Sequence, residues 1–456
     1  MQNEFTDSLT ARLVAHCFQR AAQPLPKAIE TIAAHTLLDW WGVLLAGWED
    51  PAVAMLEAEI LDEGCKPQST LLGSHARTSA MNAALVNGMA SHMLDFDDVH
   101  LRSRVHPSVP LWPAIVALAQ RERLSGKRML AAFVTGVEMQ SRIAVVMGEE
   151  HYREGWHNTA TLGMFGATTA AALLLGLDQA QTCHAIGLCA TQAGGLRAAF
   201  GTPCKPFHAG RATAAGIQSA SLAKRGFESH PDMLACASGF MQLYGNRPDA
   251  AAMERALEDP GRYEASAIVF KYNASCYGTQ APIEAAKRLC NVLHGNTSEI
   301  ESIHIAIEPQ YISVCCIAEP HSPSEARFSI SHVVALALAG WSTVDARSFS
   351  PAACNDPTLR RLRARIHVRA ESTMRRANAQ VELVLMDGSR HIEYFDASRP
   401  EPDLQLQERG LLDKARVLFR MRMSAQRADS HIEALLHIAA EPDVAAFIER
   451  LAPSPA

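Results

Sequence analysis

Residues 159–177 run for nineteen positions without a charge, and this run narrows the possible folds more than any other segment. So long an uncharged stretch must leave water, either into lipid or into a large protein core. It holds three Gly, four Thr and five Ala, with dense leucine only at Leu173, Leu174 and Leu175. That modest hydrophobicity fits a closely packed interior helix better than a lipid-facing one. A helix buried on all sides needs other helices around it. Helical periodicity predicts them over residues 27–46 (opened by Pro26), 80–96, 113–121, 128–147, 178–193 and 209–225. Alanine and other small residues are frequent throughout, and no strand–helix–strand alternation interrupts the series.

The pattern changes near residue 265. Ile303, Ile305 and Ile307 alternate with period two, as do Ile366 and Val368, and then Val381, Leu383 and Leu385. Asp387-Gly388 is a hairpin turn signal, with strand resuming over 391–395. Helical windows at 279–293 and 324–339 lie between these strands. From Leu404 the helical pattern returns. The expected class is mainly α: a large all-α domain over 1–265 and 399–456, with a smaller α+β domain inserted over 266–398.

Composition removes several function classes. The chain has 42 Lys+Arg and 48 Asp+Glu, a net charge of −6, and no basic tract to follow a phosphate backbone. Its 48% hydrophobic content excludes a disordered chain. The eleven cysteines are scattered without a CxxC pair, which suits free thiols in a reducing cytosol. The first residues carry no apolar signal region. A cytoplasmic protein that binds neither membrane nor nucleic acid is expected. There is no GxGxxG after a strand, no P-loop, no HExxH and no GxSxG, so nucleotide, zinc-protease and serine-hydrolase chemistry lose their usual marks.

Four polar clusters could carry chemistry. Asp95, Asp97 and Asp98 are followed by His100, Arg102, Arg104 and His106. These offer proton transfer and carboxylate binding, or a solvated turn, or an acidic metal site. His157 stands at the mouth of the uncharged helix, where an anion is favoured, although Asn158 or Thr159 would equally serve as a plain cap. Arg197 precedes a loop in which Pro203 and Pro206 flank Lys205, an arrangement uncommon for an ordinary solvated connector. Lys271, Tyr277 and Gln280 open the α+β segment and could close over a ligand. Cys276 in that segment has no adjacent base and reads as packing rather than as a nucleophile.

Taken together these motifs resemble the MmgE/PrpD family, whose members include 2-methylcitrate dehydratase, cis-aconitate decarboxylase and iminodisuccinate epimerase. The resemblance rests on NGMASHMLDFDDVH with HPS (87–108), GWHNTATLGMFGATTAAALLLGL (155–177), FGTPCKPFHAGRATAAG (200–216), SCYG (275–278) and EARFSISHVVALALAG (325–340). It implies a homodimer with an α+β lid over a cleft, and enzymes that use no metal and no organic cofactor. It also implies Asp95, His106, His157 and Lys205 as catalytic residues. Val99 stands where cis-aconitate decarboxylases have Thr. Gln280 stands where many members have His, and the loop from Asp95 to His106 is one residue longer than in the decarboxylases.

The chemistry implied is proton transfer at a carbon beside a carboxylate. Lys205 would hold a substrate carboxylate and stabilise developing charge, with Arg104 and Arg197 as further cations. His106 and His157 would serve as acid and base in either order, with Asp95 orienting one of them. A lyase acting on a small di- or tricarboxylate is the first expectation. An epimerase is the second, and a catalytically silent binding protein on the same scaffold is the third.

Overall fold

Small residues let the uncharged helix sit where the sequence requires it. The computed structural model describes residues 8–245, 250–258, 261–293, 296–375 and 377–452. Its first unit comprises Met1–Met93, Asp97–Ile268 and Pro402–Ala456; the second comprises Leu94–Phe96 and Val269–Glu401. The chain is mainly α-helical.

The first unit begins with α1 (Leu9–Ala21), α2 (Lys27–Gly47), α3 (Pro51–Glu63), α4 (Ala80–His92), α5 (Ser108–Glu122) and α6 (Gly126–Met147). It continues with α7 (Gly163–Leu175), α8 (Gln179–Ala190) and α9 (Cys204–Lys224). Among the described residues, two helical stretches, Gly126–Met147 and Asn158–Leu175, are long and apolar enough to cross a membrane by length and composition. Both are almost wholly buried among the other helices. The α6–α7 crossing is made at glycine. A β-carbon on Gly136 would lie 2.9 Å from the Gly166 carbonyl oxygen, and one on Gly166 would lie 2.8 Å from that of Gly136.

A second glycine crossing brings α4 against α9. A β-carbon on Gly88 would stand 2.8 Å from the Gly210 Cα, and one on Gly210 would stand 2.2 Å from the Leu85 carbonyl oxygen. Gly88 lies one turn before His92, and Gly210 lies within two turns of Lys205. The close approach therefore sets where those side chains meet. Gly210→Ala should destabilise the protein by about 2–3 kcal/mol through overpacking, although alanine gains about 1 kcal/mol over glycine in a helix interior. The denaturant midpoint of the variant measures this, and an unchanged midpoint would show that the crossing yields.

Several boundaries differ from the periodicity reading. Helix α4 stops at His92 rather than at residue 96, because Asp95 takes a left-handed backbone with φ 49°, which an α-helix cannot accommodate. Helix α5 starts at Ser108, not at 113. The Asp98 carboxylate accepts from the Ser108 backbone N–H at 3.1 Å, and Pro110 in the first turn lacks only an N–H that has no intrahelical partner there. The segment around Lys205 is the first turn of α9 rather than a loop.

The second unit holds α10 (Gln280–Leu293) and α11 (Ile330–Leu338) with a four-stranded sheet: β1 (Ile300–Ile307), β2 (Ile366–Ala370), β3 (Asn378–Leu385) and β4 (Arg390–Asp396). The order is β2-β1-β3-β4, parallel between β1 and β2 and antiparallel elsewhere. Ile303 pairs with Leu383 and Ile300 with Leu385. The register shift between Ile300 and Ser302 therefore keeps both isoleucines on one buried face. Gly388 takes φ 82° in the β3–β4 turn, a conformation that glycine adopts without strain.

Beyond Pro402 the chain rejoins the first unit through α12 (Leu404–Phe419), α13 (Ala425–Leu436) and α14 (Val444–Leu451). Lys414 on α12 forms a buried ion pair with Asp39 on α2 at 2.6 Å. Leu418 and Phe419 pack over Gly42.

Candidate functional site

Four histidines and a lysine gather in the first unit around one buried carboxylate. Asp97 is fully buried. Its Oδ1 lies 2.9 Å from Nδ1 of His92, at the end of α4, and its Oδ2 lies 2.9 Å from Nδ1 of His106. The two imidazoles meet edge to face with centroids 4.8 Å apart. His106 sits in the turn before α5, where its backbone N–H donates to Thr159 Oγ1 at 3.1 Å. The buried Nε2 of His92 has no hydrogen-bond partner among the described residues.

His157 stacks on His92 with centroids 6.0 Å apart. It is the residue before the short helix Asn158–Thr161, and its backbone N–H donates to the Gly195 carbonyl at 2.9 Å. Gly195 has φ 132°, and a β-carbon there would come within 2.6 Å of Ala160. Only glycine lets this segment pass so close to Ala160. The His157 Nδ1 lies 3.2 Å from Nδ1 of His208, on the first turns of α9. Phe200 closes the edge of His157 with centroids 5.0 Å apart. The Lys205 ammonium stands 5.2 Å from the centre of that same ring. Lys205 is buried in the first turn of a 21-residue helix. The macrodipole there disfavours a cation and favours an anion.

Burial and the nearby Lys205 charge hold His92, His157 and His208 neutral. His92 is depressed to about 4, by burial first, with the pull of Asp97 only partly offsetting it. His157 falls well below its ordinary value through burial and then the Lys205 charge. His208 falls for the same two reasons. Burial alone would raise the Asp97 carboxyl, but His92 and His106 overcome this and hold it well below the usual carboxylate range. Asp98 moves the other way. Burial and the nearby Asp39 charge push it well up, while its oxygens receive the Ser108 backbone N–H and hydroxyl.

These directions carry a stability consequence. A histidine depressed in the folded state refuses a proton that the unfolded chain takes up below about pH 6.5. Stability is therefore complete above that value and drains away as pH falls toward the folded pKa. With its folded value at about 4, His92 alone should cost about 2 kcal/mol between pH 7 and pH 5. His157 adds to this loss, and Asp98, whose raised value favours acid, opposes part of it. Urea midpoints across this range should fall toward acid. They should fall less steeply in His92→Gln, and equal slopes in the two proteins would count against a buried neutral His92.

The acidic run thus divides three ways. The carboxylate that orients imidazoles is Asp97. The Asp95 carboxylate instead receives the buried ammonium of Lys271 at 3.0 Å, and its carbonyl receives the same group at 2.6 Å, both within the second unit. Lys271 is therefore engaged in an ion pair. The Gln280 amide is occupied by its own loop: Nε2 donates to the carbonyls of Asn273 at 3.0 Å and Ser275 at 3.1 Å, and Oε1 accepts from the Asn273 backbone at 3.2 Å. The Tyr277 hydroxyl donates to the Ala397 carbonyl. Arg104 and Arg197 both lie over the Tyr152 ring, at 5.1 and 4.0 Å. Arg104 also binds Glu149 at 2.8 Å, and Arg197 donates to the Tyr152 carbonyl at 2.9 Å. These contacts tie down a surface segment, and among the described residues neither arginine bonds to these histidines.

His92 and His208 are members of the cluster that the sequence reading passed over, and Asp97 was named there only as one of three carboxylates. A signal existed for His208, which falls three residues after Lys205 and so on the same helical face. His92, Asp97 and His106 also bring donor atoms within 4.8 Å of one another, the usual first mark of a metal site. Asp97 Oδ1 hydrogen-bonds Nδ1 of His92 at 2.9 Å, and Asp97 Oδ2 stands 2.9 Å from Nδ1 of His106.

Comparison with known proteins bears on what this cluster does. Residues 11–252 match the MmgE/PrpD N-terminal domain and residues 273–438 match the MmgE/PrpD C-terminal domain. The cis-aconitate decarboxylase of Homo sapiens is 27% identical over 377 residues, covering 78% of this chain and 75% of that protein. The mouse (Mus musculus) cis-aconitate decarboxylase is 26% identical over 376 residues, with 78% and 74% covered. An Aspergillus terreus cis-aconitate decarboxylase is 26% identical over 288 residues, 59% of each chain. With more than half of its length matched by the N-terminal domain alone and most of the remainder by the C-terminal one, the chain belongs to the MmgE/PrpD family.

Proposed function

We propose that this protein is a cofactor-independent lyase that removes carbon dioxide or water from a small di- or tricarboxylate. The observation that carries the reading is the buried Lys205 ammonium at a helix N-terminus, set among imidazoles that its charge and their burial keep neutral. A carboxylate substrate would be drawn to the ammonium and to the positive end of α9. Loss of carbon dioxide leaves an electron pair on carbon, which a neutral imidazole N–H can quench with its proton. Loss of water needs a proton taken from carbon and one given to the departing hydroxyl. His106 and His157, anchored by different partners, can divide those roles. The relatives named above are decarboxylases, which favours the first reaction.

Epimerisation of a dicarboxylate is the second reading. The two imidazoles hang from separate supports, Asp97 and His208, as a proton-removing and a proton-giving group at one carbon would require. No step in either reading passes through a metal, so treatment with EDTA should leave turnover unchanged.

Proton NMR in D2O with cis-aconitate, 2-methylcitrate and iminodisuccinate tests the assignment. An unsaturated product with carbon dioxide or water released supports the lyase. Isomerisation with deuterium uptake at one carbon replaces it with the epimerase. Inertness toward every small di- and tricarboxylate offered would sink both.

A further inference from the structure

Cys204, His208 and His157 form a line from the surface into the cluster. Cys204 is exposed and His208 is half-buried, whereas His157 is buried. The Cys204 Sγ lies 3.6 Å from Nε2 of His208, and Nδ1 of His208 lies 3.2 Å from Nδ1 of His157. The Gly194-Gly195 segment runs beside the inner pair: a β-carbon on Gly195 would stand 3.3 Å from the His208 Nδ1.

This geometry limits the protons. Two Nδ1 atoms in contact must include one donor and one acceptor, and a neutral imidazole carries a proton on only one nitrogen. The outer contact settles the order. A thiol donating to an imidazole nitrogen makes a better hydrogen bond than an imidazole N–H donating to neutral sulfur, which is a weak acceptor. His208 then accepts at Nε2 and carries its proton on Nδ1. It donates inward, and His157 accepts at Nδ1 and carries its own proton on Nε2.

We propose that His208, held by the Cys204 thiol, is a positioning residue that fixes His157 as the Nε2–H tautomer and so makes it the proton donor of the site. This rests on the lyase reading and deepens it. His106 faces the Asp97 carboxylate through Nδ1, which leaves its Nε2 bare as the complementary proton acceptor. Two chemically equal imidazoles are thereby given opposite roles by their neighbours, His157 by His208 and His106 by Asp97.

The test is 15N NMR of protein labelled at histidine, with the His157 signals assigned by their loss in His157→Gln. The wild type should show His157 with a protonated Nε2 and a bare Nδ1. Cys204→Ser keeps an outer donor and should keep that pattern. Cys204→Asp offers only an acceptor and should reverse it. His208→Asn, whose amide N–H can replace Nδ1–H, should retain the pattern, whereas His208→Leu should lose it. Turnover in His208→Leu should fall roughly tenfold or more through kcat, with KM little changed and partial recovery in His208→Asn. A wild-type His157 protonated on Nδ1, or a tautomer indifferent to both Cys204→Asp and His208→Leu, would overturn the proposal even if lyase activity is found. The expected tautomers in a protein inert toward carboxylates would uphold this chain and remove the lyase reading instead.

Discussion

Asp97→Asn should lower turnover by a factor of about a thousand or more, with KM nearly unchanged. The carboxylate lies between two imidazoles and can accept from both, at 2.9 Å each. A carboxamide of the same shape presents one acceptor and one donor. The imidazole that meets the new N–H must turn a bare Nδ1 toward it, which moves that ring's proton to Nε2. If the ring is His106, the site loses its proton acceptor without losing its shape. If it is His92, the buried Nε2 that now has no partner among the described residues gains a proton. The neighbouring His106 then loses the negative charge that supports its imidazolium during turnover. Thermal melts of the variant should stay cooperative, because the side chain's shape and its packing are unchanged. Kinetics on the substrate found by NMR and a melt on the same sample check this. Turnover within a few-fold of wild type would remove Asp97 from the mechanism.

Lys205→Met should lower turnover about a hundredfold or more, as losing one charge-stabilising donor does in a dry site. Lys205→Arg should recover little, since a planar fork does not replace a compact ammonium at a buried helix start beside Phe200. The structure adds a second signature. The Lys205 charge helps to depress His92, His157 and His208, so its removal should let all three take protons at higher pH. The acid limb of the pH–rate profile should therefore move toward neutrality in Lys205→Met. A surface lysine would give near-normal turnover, an unmoved profile and a stability change within about 0.5 kcal/mol. That combination would withdraw Lys205 from the site and weaken the assignment of His157, whose proton affinity it helps to lower.

Much of the helical unit and the sheet could be read in advance, because both follow from local periodicity. The uncharged small-residue run had to be an interior helix. The alternating isoleucines and Asp387-Gly388 had to be strands and a turn. Errors fell where side chains from distant segments decide. Residues 94–96 looked like a continuing helix because their apolar pattern continues it. The left-handed Asp95, whose carbonyl and carboxylate both receive Lys271, cannot. The flanking prolines made Lys205 look like part of a loop, whereas Pro203 and Pro206 sit at the helix start, where missing N–H groups are tolerated.

The sequence by itself determined which chemistry was on offer: carboxylates, imidazoles and one lysine, ordered as in the MmgE/PrpD family. It could not say which of Asp95, Asp97 and Asp98 faces a histidine. Adjacent positions differ in direction by the backbone angles of a single residue, and those angles are set by partners far along the chain. Nor could it reveal that His92 and His208 join His106 and His157, since the helices carrying residues 92 and 208 come together where Gly88 and Gly210 let them touch. Tertiary structure decided the protonation states as well, because burial and the Lys205 charge exist only once the helices have closed around them.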